Sequence, residues 1–397
     1  MQGIKLLEKV RVLDLSRVLS GPFCTRMLSD LGAEVIKIES FNGDSSRQFP
    51  PFKGNYGSYF SQSNAGKKSL CVNFRHLKGI ELIKKLVSMS DVLVENFRPG
   101  VLAKMGLGYP VLKEINDRII LCSISGFGQN GSESKRLAYT DIVQAYSGLD
   151  YAATRMISGQ DEPPGFPVSL GDTSASMNAA IAILAALYNR EHTGVGQFID
   201  ISMLDCLLSS NDSTLQKYIF SDGQIDTPGI AFRPPIKMKD GYMAVSIALT
   251  FERVVNAIER PELLSDNRFN TLEARIKNFD QYYKIVRHWA REKTVAQAGK
   301  IFDKFDIPCA KVNSTAEIID SAVIRERNML ADVELRGVGS VSVINTPFKI
   351  SETSCCPQGP PPLLGEHNRT VFQELLGLSE LEINELTEAG VIKQANG

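Results

Sequence analysis

From Val10 to Met203 short apolar runs alternate with stretches of helical periodicity, which is the pattern of parallel βαβ units. The runs Val10–Leu15, Glu34–Glu39, Ser69–Phe74, Asp91–Phe97, Arg118–Ser125 and Gln197–Met203 predict strands. Pro22–Leu31, Leu77–Ser88, Val101–Ile115, Asp141–Gly148 and Thr173–Asn189 predict helices, because apolar residues recur there at helical spacing. In the last of these, Met177, Ile181, Leu184 and Tyr188 form one apolar stripe. Phe41–Gly66 is polar and rich in Gly, Ser and Asn; a loop that long reads as functional. A Gly/Pro break at Gly223–Phe232 introduces a different pattern. Ile236–Met238 and Tyr242–Ile247, around Lys239-Asp240-Gly241, predict a hairpin. Amphipathic helices follow to about Asp332, then two short strands (Val333–Leu335 and Ser340–Ile344), then a helix from about Glu380. The expected fold class is α/β, an open Rossmann-like large domain with a smaller α+β domain.

Composition narrows the function. At 397 residues the chain exceeds one comfortable core, so two domains are expected. A net charge of −1 supplies no field to gather nucleic acid or an anionic membrane. No apolar run reaches the ~20 residues a bilayer demands, so no membrane partner is expected. The N-terminus lacks an apolar signal core, so no signal peptide is expected. Seven scattered cysteines without C-x-x-C fit a reducing, cytoplasmic setting. The four histidines lack ligand spacing, and no metal site is expected.

Chemistry concentrates at Asp172, which follows Gly171 and stands where the Pro167–Leu170 run gives way to a helix. A carboxylate at such a hinge opens onto the mouth of an α/β sheet and suits a nucleophile. It is equally a good N-cap, able to accept from the amides of Ser174 or Ala175. Basic residues gather where strands should end: Arg17, Arg47, Lys67, Lys68, Arg75, Arg98 and Lys104. Together they favour a phosphate-bearing ligand. Gly126–Gly131 matches G-x-G-x-x-G, but Ser132–Arg136 after it is too polar to open a dinucleotide-binding helix. That loop reads as a tight turn close to a ligand or partner chain. Cys24, beside the Gly21-Pro22 helix start, has either a lowered pKa or a plain packing role. Trp289 and His288 read as helix packing.

Several separated motifs resemble the family III CoA-transferases, the formyl-CoA and carnitine CoA-transferase group. They are Val12–Glu39, Asn64–Leu70, Val94–Tyr109, Ser123–Gly131, the Asp172 segment, His192–Asp205 and Pro362–His367. The resemblance implies a large domain built from both chain ends: 1–220, a small domain over 221–332, and a segment, 333–397, returning to the large domain. It implies an interlocked homodimer. It places the catalytic aspartate on Asp172, and capping is compatible with that role. CoA would be held by Leu19, Ser20, Val72, Arg75, Asn96, Phe97, Arg98, Lys104 and Met105, with Lys67 and Lys68 as further phosphate candidates. Tyr139 would line the acyl pocket. Coenzyme A and acyl-CoA enter as substrates, with a small carboxylic acid as partner and no permanently bound cofactor. The implied reaction moves CoA between acids through an aspartyl anhydride and an aspartyl-CoA thioester, with amides at Thr173 and Ser174 lowering the Asp172 pKa.

Other readings stay open at this point. An α-methylacyl-CoA racemase shares the aspartate but needs a second base, and Leu137–Gly148 offers Tyr139 and Asp141 without a histidine. CoA transfer within one dicarboxylic acid and a non-catalytic CoA-binding protein are the others. The consecutive glycines of the formyl-CoA transferase lid are missing from Phe232–Leu249, which holds only Gly241. That argues against an oxalate or formate substrate. Arg17, Arg47 or Arg233 would instead read a second carboxylate, as on succinate.

Overall fold

The computed structural model describes residues 4–156, 162–163, 165–211, 214–225 and 233–395. Six strands share one sheet: β1 (Arg11–Asp14), β2 (Glu34–Glu39), β3 (Lys68–Cys71), β4 (Val92–Glu95), β5 (Ile120–Ser125) and β6 (Phe198–Ser202). All pairings are parallel, in the order β3-β2-β1-β4-β5-β6. Val12 lies opposite both Val35 and Val92. Connections therefore diverge between β1 and β4, the switch point beside which open parallel sheets bind ligands.

The sheet is covered on both faces, which is why its strands are apolar almost throughout. Side chains alternate along a strand, so neighbouring residues feed opposite layers. Val12, Val35, Val92 and Ile120 pack with Leu28 and Ile183, from helices Ser20–Asp30 and Leu170–Thr193. Leu13, Ile36, Leu93 and Leu121 pack with Ile83 and Leu86 of helix Leu77–Val87.

The long helix corrects two expectations. Its stripe of Met177, Ile181 and Tyr188 is 48%, 65% and 72% exposed. The buried face is instead Ala175, Ala179, Ile183 and Ala186, small residues that let the helix lie close on the sheet. At 24 residues, with a mean hydropathy of 1.3 over its most apolar 18, it is also long and apolar enough to cross a membrane. Its buried alanine face marks it as a core helix. The helix expected over Val101–Ile115 is two, Val101–Lys104 and Tyr109–Ile115, parted at Gly106 with φ +77°. Helices Ser58–Asn64, inside the expected loop, and Asn368–Leu376 were not foreseen.

Contacts divide the chain into Met1–Ser147, Pro167–Ser210 and Val323–Gly397 as one unit, and Gly148–Phe166 with Asn211–Ala322 as the other. The sequence expectation set the smaller domain at 221–332. Within the first unit the C-terminal segment runs beside β3: Asn368 Oδ1 accepts from the Cys71 amide at 2.9 Å, and Val72 pairs with Ile392. The second unit has antiparallel strands Ile236–Lys237, Tyr242–Val245 and Cys309–Lys311 around an aromatic core of Phe251, Phe269, Phe279 and Tyr282. The break expected at Gly223–Phe232 and the first residue of the Phe232–Leu249 stretch fall partly or wholly outside the described residues. Gly241 closes the hairpin turn.

Under the β1 end lies a ladder of buried charges. Lys67 Nζ is 2.9 Å from Asp14 and 2.8 Å from both Thr25 Oγ1 and Asn64 Oδ1. Lys37 Nζ reaches the Ser16 carbonyl at 2.8 Å and Asp44 at 3.1 Å. Arg47 clasps Glu39 through two nitrogens, at 2.7 and 2.8 Å. Burial pushes the Asp14 pKa up, but the charges of Lys37 and Lys67 outweigh it and hold the carboxyl well below the usual range. Lys67 is drawn down to about 8, with burial the dominant cause and Asp14 opposing it. Replacing Lys67 with methionine leaves Asp14 buried and short of a cation, so denaturant unfolding should show a loss of about 3 to 5 kcal/mol. A loss under about 1 kcal/mol would mean that the ladder does not hold this end of the sheet.

Candidate active site

The β1 loop, Leu15–Ser20, is fastened from beneath. Asp14 accepts from the Ser16 amide at 2.9 Å and from the Ser16 hydroxyl. Asp44 accepts from the Val18 amide at 3.1 Å, holding Val18 in the left-handed region at φ +67°. A Cβ on Gly21 would stand 2.1 Å from Ser16 Cβ, so only glycine permits this closure. The helix beginning at Ser20 then points its first amides across the switch point.

The β4 end meets this loop through Asn96. Its Oδ1 accepts from the Arg17 amide at 2.8 Å, and its Nδ2 donates to the Arg17 carbonyl at 2.8 Å and to Ser20 Oγ at 3.0 Å. Glu95, just before it, accepts from the Phe97 amide at 2.8 Å. Burial pushes its pKa up to about 7, although hydrogen bonds from Ser123 and Phe97 oppose the shift.

Asp172 arrives from the long helix, which starts at Leu170 rather than Thr173. It is therefore in the first turn and is not an N-cap. Gln144 Oε1 takes the Leu170 amide at 3.0 Å and Thr140 Oγ1 takes the Gly171 amide at 2.9 Å. Those acceptors leave the Asp172 carboxylate facing Ser20, which lines the same cavity and whose N–H and hydroxyl favour its charged form. A Cβ on Gly171 would press on Thr140 Oγ1 at 2.9 Å. Burial raises the Asp172 pKa to about 6, only partly offset by Ser20. The expected lowering by the Thr173 and Ser174 amides is thus corrected; the Thr173 amide bonds to the Ser169 carbonyl instead.

Asp172 opens into a cavity of about 290 Å³, lined also by Arg17, Ser20, Asn96, Phe97, Arg98, Arg136 and Tyr139. A second cavity of about 330 Å³ is lined by Arg75 and Met105 and shares Arg17 and Phe97 with the first. Among the described residues no carboxylate pairs with Arg17 or Arg98, and Arg17 lies over the Phe97 ring at 5.5 Å. Tyr139 stands on the rim, 75% exposed.

Other expected site residues lie elsewhere. Lys67 is sealed in the buried ladder and cannot reach a phosphate, and Lys68 is paired with Glu34 at 2.7 Å. Arg47 is clasped by Glu39, covers the Phe60 ring at 3.8 Å and lines a different cavity with Leu363 and Lys393. It does not face Asp172. Val72 is fully buried, its amide bonded to the Glu39 carbonyl at 2.8 Å. Leu19 is half-buried beside the first cavity wall, and Lys104 is exposed next to Met105. In the second unit Arg233 pairs with Asp280 at 3.4 Å, and Trp289 packs on Phe302 at 5.4 Å. Cys24 is buried, and that pushes its thiol pKa far up, opposite to an activated cysteine.

Two site residues escaped the sequence. Arg136 ends the polar run after Gly126–Gly131, the run that argues against a dinucleotide helix, and that run carries it to the cavity wall. The next helix starts only at Thr140. Tyr59, within the polar Phe41–Gly66 stretch, lies near Asp172: burial, then the Asp172 charge, raises its pKa, with Ser169 opposing the shift. No cluster of potential metal ligands occurs among the described residues.

Comparison with known proteins bears on this geometry. A family model described as CoA-transferase family III matches residues 7–368. The chain is 34% identical to the succinyl-CoA:glutarate CoA-transferase of Homo sapiens, over 99% of this chain and 91% of that protein. It is 32% identical to the succinyl-CoA–L-malate CoA-transferase beta subunit of Chloroflexus aurantiacus, over 97% of this chain and 98% of that one. Among solved structures, a CAIB/BAIF family protein from Brucella suis superposes with a TM-score of 0.80 at 30% identity, covering 94% of this chain and 100% of the other. With an α/β switch-point cleft around Asp172 and a match along nearly its whole length, the chain belongs to CoA-transferase family III.

Proposed function

We propose that the protein transfers CoA from an acyl-CoA thioester to a carboxylic acid, with Asp172 as the covalent nucleophile. The observation that carries this reading is a half-buried carboxylate with no cationic partner among the described residues, set in a cavity walled by Arg17, Arg98 and Arg136. With a pKa near 6 the carboxylate is ionised at neutral pH yet more basic than an exposed aspartate. Such a group is nucleophilic without needing a separate base.

One oxygen of Asp172 attacks the thioester carbonyl. The C–S bond breaks and the CoA thiolate leaves, forming a mixed anhydride. The thiolate then adds to the aspartyl carbon, and the donor acid departs with the bridging oxygen. The acceptor carboxylate repeats both steps in reverse. Each stage conserves an activated acyl group, which is how covalent catalysis avoids loss to water. CoA would extend from Asp172 past Arg17 and Phe97 to the Arg75 and Met105 cavity, since the two cavities share a wall.

Guanidinium groups also favour an acid with a second carboxylate, because they grip carboxylates through paired donors. The relatives are named for succinyl-CoA with glutarate or L-malate, which supports a dicarboxylic substrate pair with succinyl-CoA as donor. Racemisation is disfavoured because no histidine lines the Asp172 cavity among the described residues. The exposed stripe of Met177, Ile181 and Tyr188 supports a homodimer that covers it. Seven free cysteines support a reducing compartment, the cytoplasm.

Brief mixing with succinyl-CoA should add the mass of CoA less one water to the intact protein, whereas acetyl-CoA should react far more slowly. The Asp172→Ala variant should give no adduct while keeping its fold by circular dichroism. Adduct formation by that variant would reject the nucleophile. A second expectation concerns pH. The reactive form is the carboxylate, and burial raises its pKa. The rate of adduct formation should thus be flat above pH 7 and fall about tenfold per unit below pH 6. A profile flat to pH 4.5 would assign the first step to another group.

A further inference from the structure

We propose that Ser20 is a positioning residue: its hydroxyl, held by Asn96, fixes one oxygen of Asp172 and carries the negative charge that forms there when thiolate attacks the aspartyl carbon. This rests on the reading of Asp172 as a covalent nucleophile. The resemblance assigns Ser20 to CoA, whereas the cavity it shares with Asp172, and the Ser176 hydroxyl that bridges their two carbonyls, set it beside the carboxylate.

Proton direction settles what the hydroxyl does. Ser20 Oγ receives the Asn96 Nδ2–H at 3.0 Å, so one lone pair is engaged there and the hydroxyl proton is not spent on Asn96. An ionised carboxylate can only accept. The single serine proton is therefore left for Asp172, and together with the Ser20 amide it favours the charged carboxylate. Both ends of this chain are fixed. Asn96 is locked by two 2.8 Å bonds to the Arg17 backbone. The Ser20 carbonyl accepts from Ser176 Oγ at 2.7 Å, and that same hydroxyl lies 2.7 Å from the Asp172 carbonyl. Ser20 is 3% exposed, so water does not compete for these bonds.

The consequence differs between the two chemical steps. Attack on the donor thioester draws charge out of the carboxylate, so donors on the other oxygen give no help. Attack of thiolate on the aspartyl carbon forms a C–S bond and pushes the carbonyl pair onto the oxygen that faces Ser20. Collapse then breaks the C–O bond and releases the donor acid as carboxylate. Two fixed donors are matched to the transient charge of this second step, as in an oxyanion hole.

The test is rapid quench of the full-length protein with succinyl-CoA, read by intact mass and by hydroxylamine trapping. Ser20→Ala should slow formation of the CoA adduct on the order of 100-fold. It should let succinylated Asp172 accumulate ahead of the CoA adduct and move the acid limb of the rate to higher pH. The Kd for CoA should stay unchanged, and Ser20→Cys, a weaker donor, should fall between. An unaltered adduct rate and pH limb in Ser20→Ala overturns the proposal. So does a weakened CoA Kd with an unaltered adduct rate, which would return Ser20 to the ligand-binding set. If the wild-type protein forms no adduct, the nucleophile reading fails first and this inference falls with it. Those outcomes are distinguishable because the wild type is scored before the variant.

Discussion

The ladder of buried charges beneath β1 is the constraint on which the site depends. Asp14, Glu39 and Asp44 face Lys37, Lys67 and Arg47, and five of these six side chains are almost entirely out of water. Sinking charges costs several kcal/mol each, and their mutual attraction often does no better than break even. Stability is thus a poor account of why six charges cluster here. Their geometry gives a better one. Asp14, Lys37 and Asp44 between them bind the Ser16 amide, hydroxyl and carbonyl and the Val18 amide. A loop with a left-handed valine and a glycine pressed on a serine would not otherwise keep one shape. The ladder holds it, and the loop in turn aims Ser20 at Asp172.

The fold sets up this meeting by topology. Divergence between β1 and β4 leaves a crevice, and the two strand ends supply Arg17 and Ser20 from one side and Asn96 to Arg98 from the other. The long helix enters from the third side and presents Asp172 within its first turn. Its small buried face brings the carboxylate low into the crevice, where burial raises the pKa that the positive helix end would otherwise depress. Desolvation wins because Thr140 and Gln144 absorb the first-turn amides.

The sequence carried much of this. All six strands of the sheet are placed within a few residues by their apolar runs, and Asp172 stood out by its glycine and the helix after it. What it did not carry was direction and distance. Periodicity shows that Met177, Ile181 and Tyr188 share a face, but not that the alanines opposite them meet the sheet. Lys67 looks like any basic residue in a loop; its partner Asp14 lies 53 positions away. Ser20 and Asn96 are 76 apart, so their bond follows from the sheet order alone. Arg136 was hidden because a polar run with no helix has no periodicity to read.

The central claim is that Asp172 takes part through its own oxygen. Turnover with acceptor acid labelled with oxygen-18 in its carboxylate measures this directly. If the acceptor passes through an anhydride on Asp172, one labelled oxygen stays on the aspartate when the product thioester leaves. Peptide mass spectrometry should then find label in the segment containing Asp172, and later turnovers should pass it into the released donor acid. Label confined to the product thioester and unused acceptor, with none on Asp172 or the donor acid, would contradict the account.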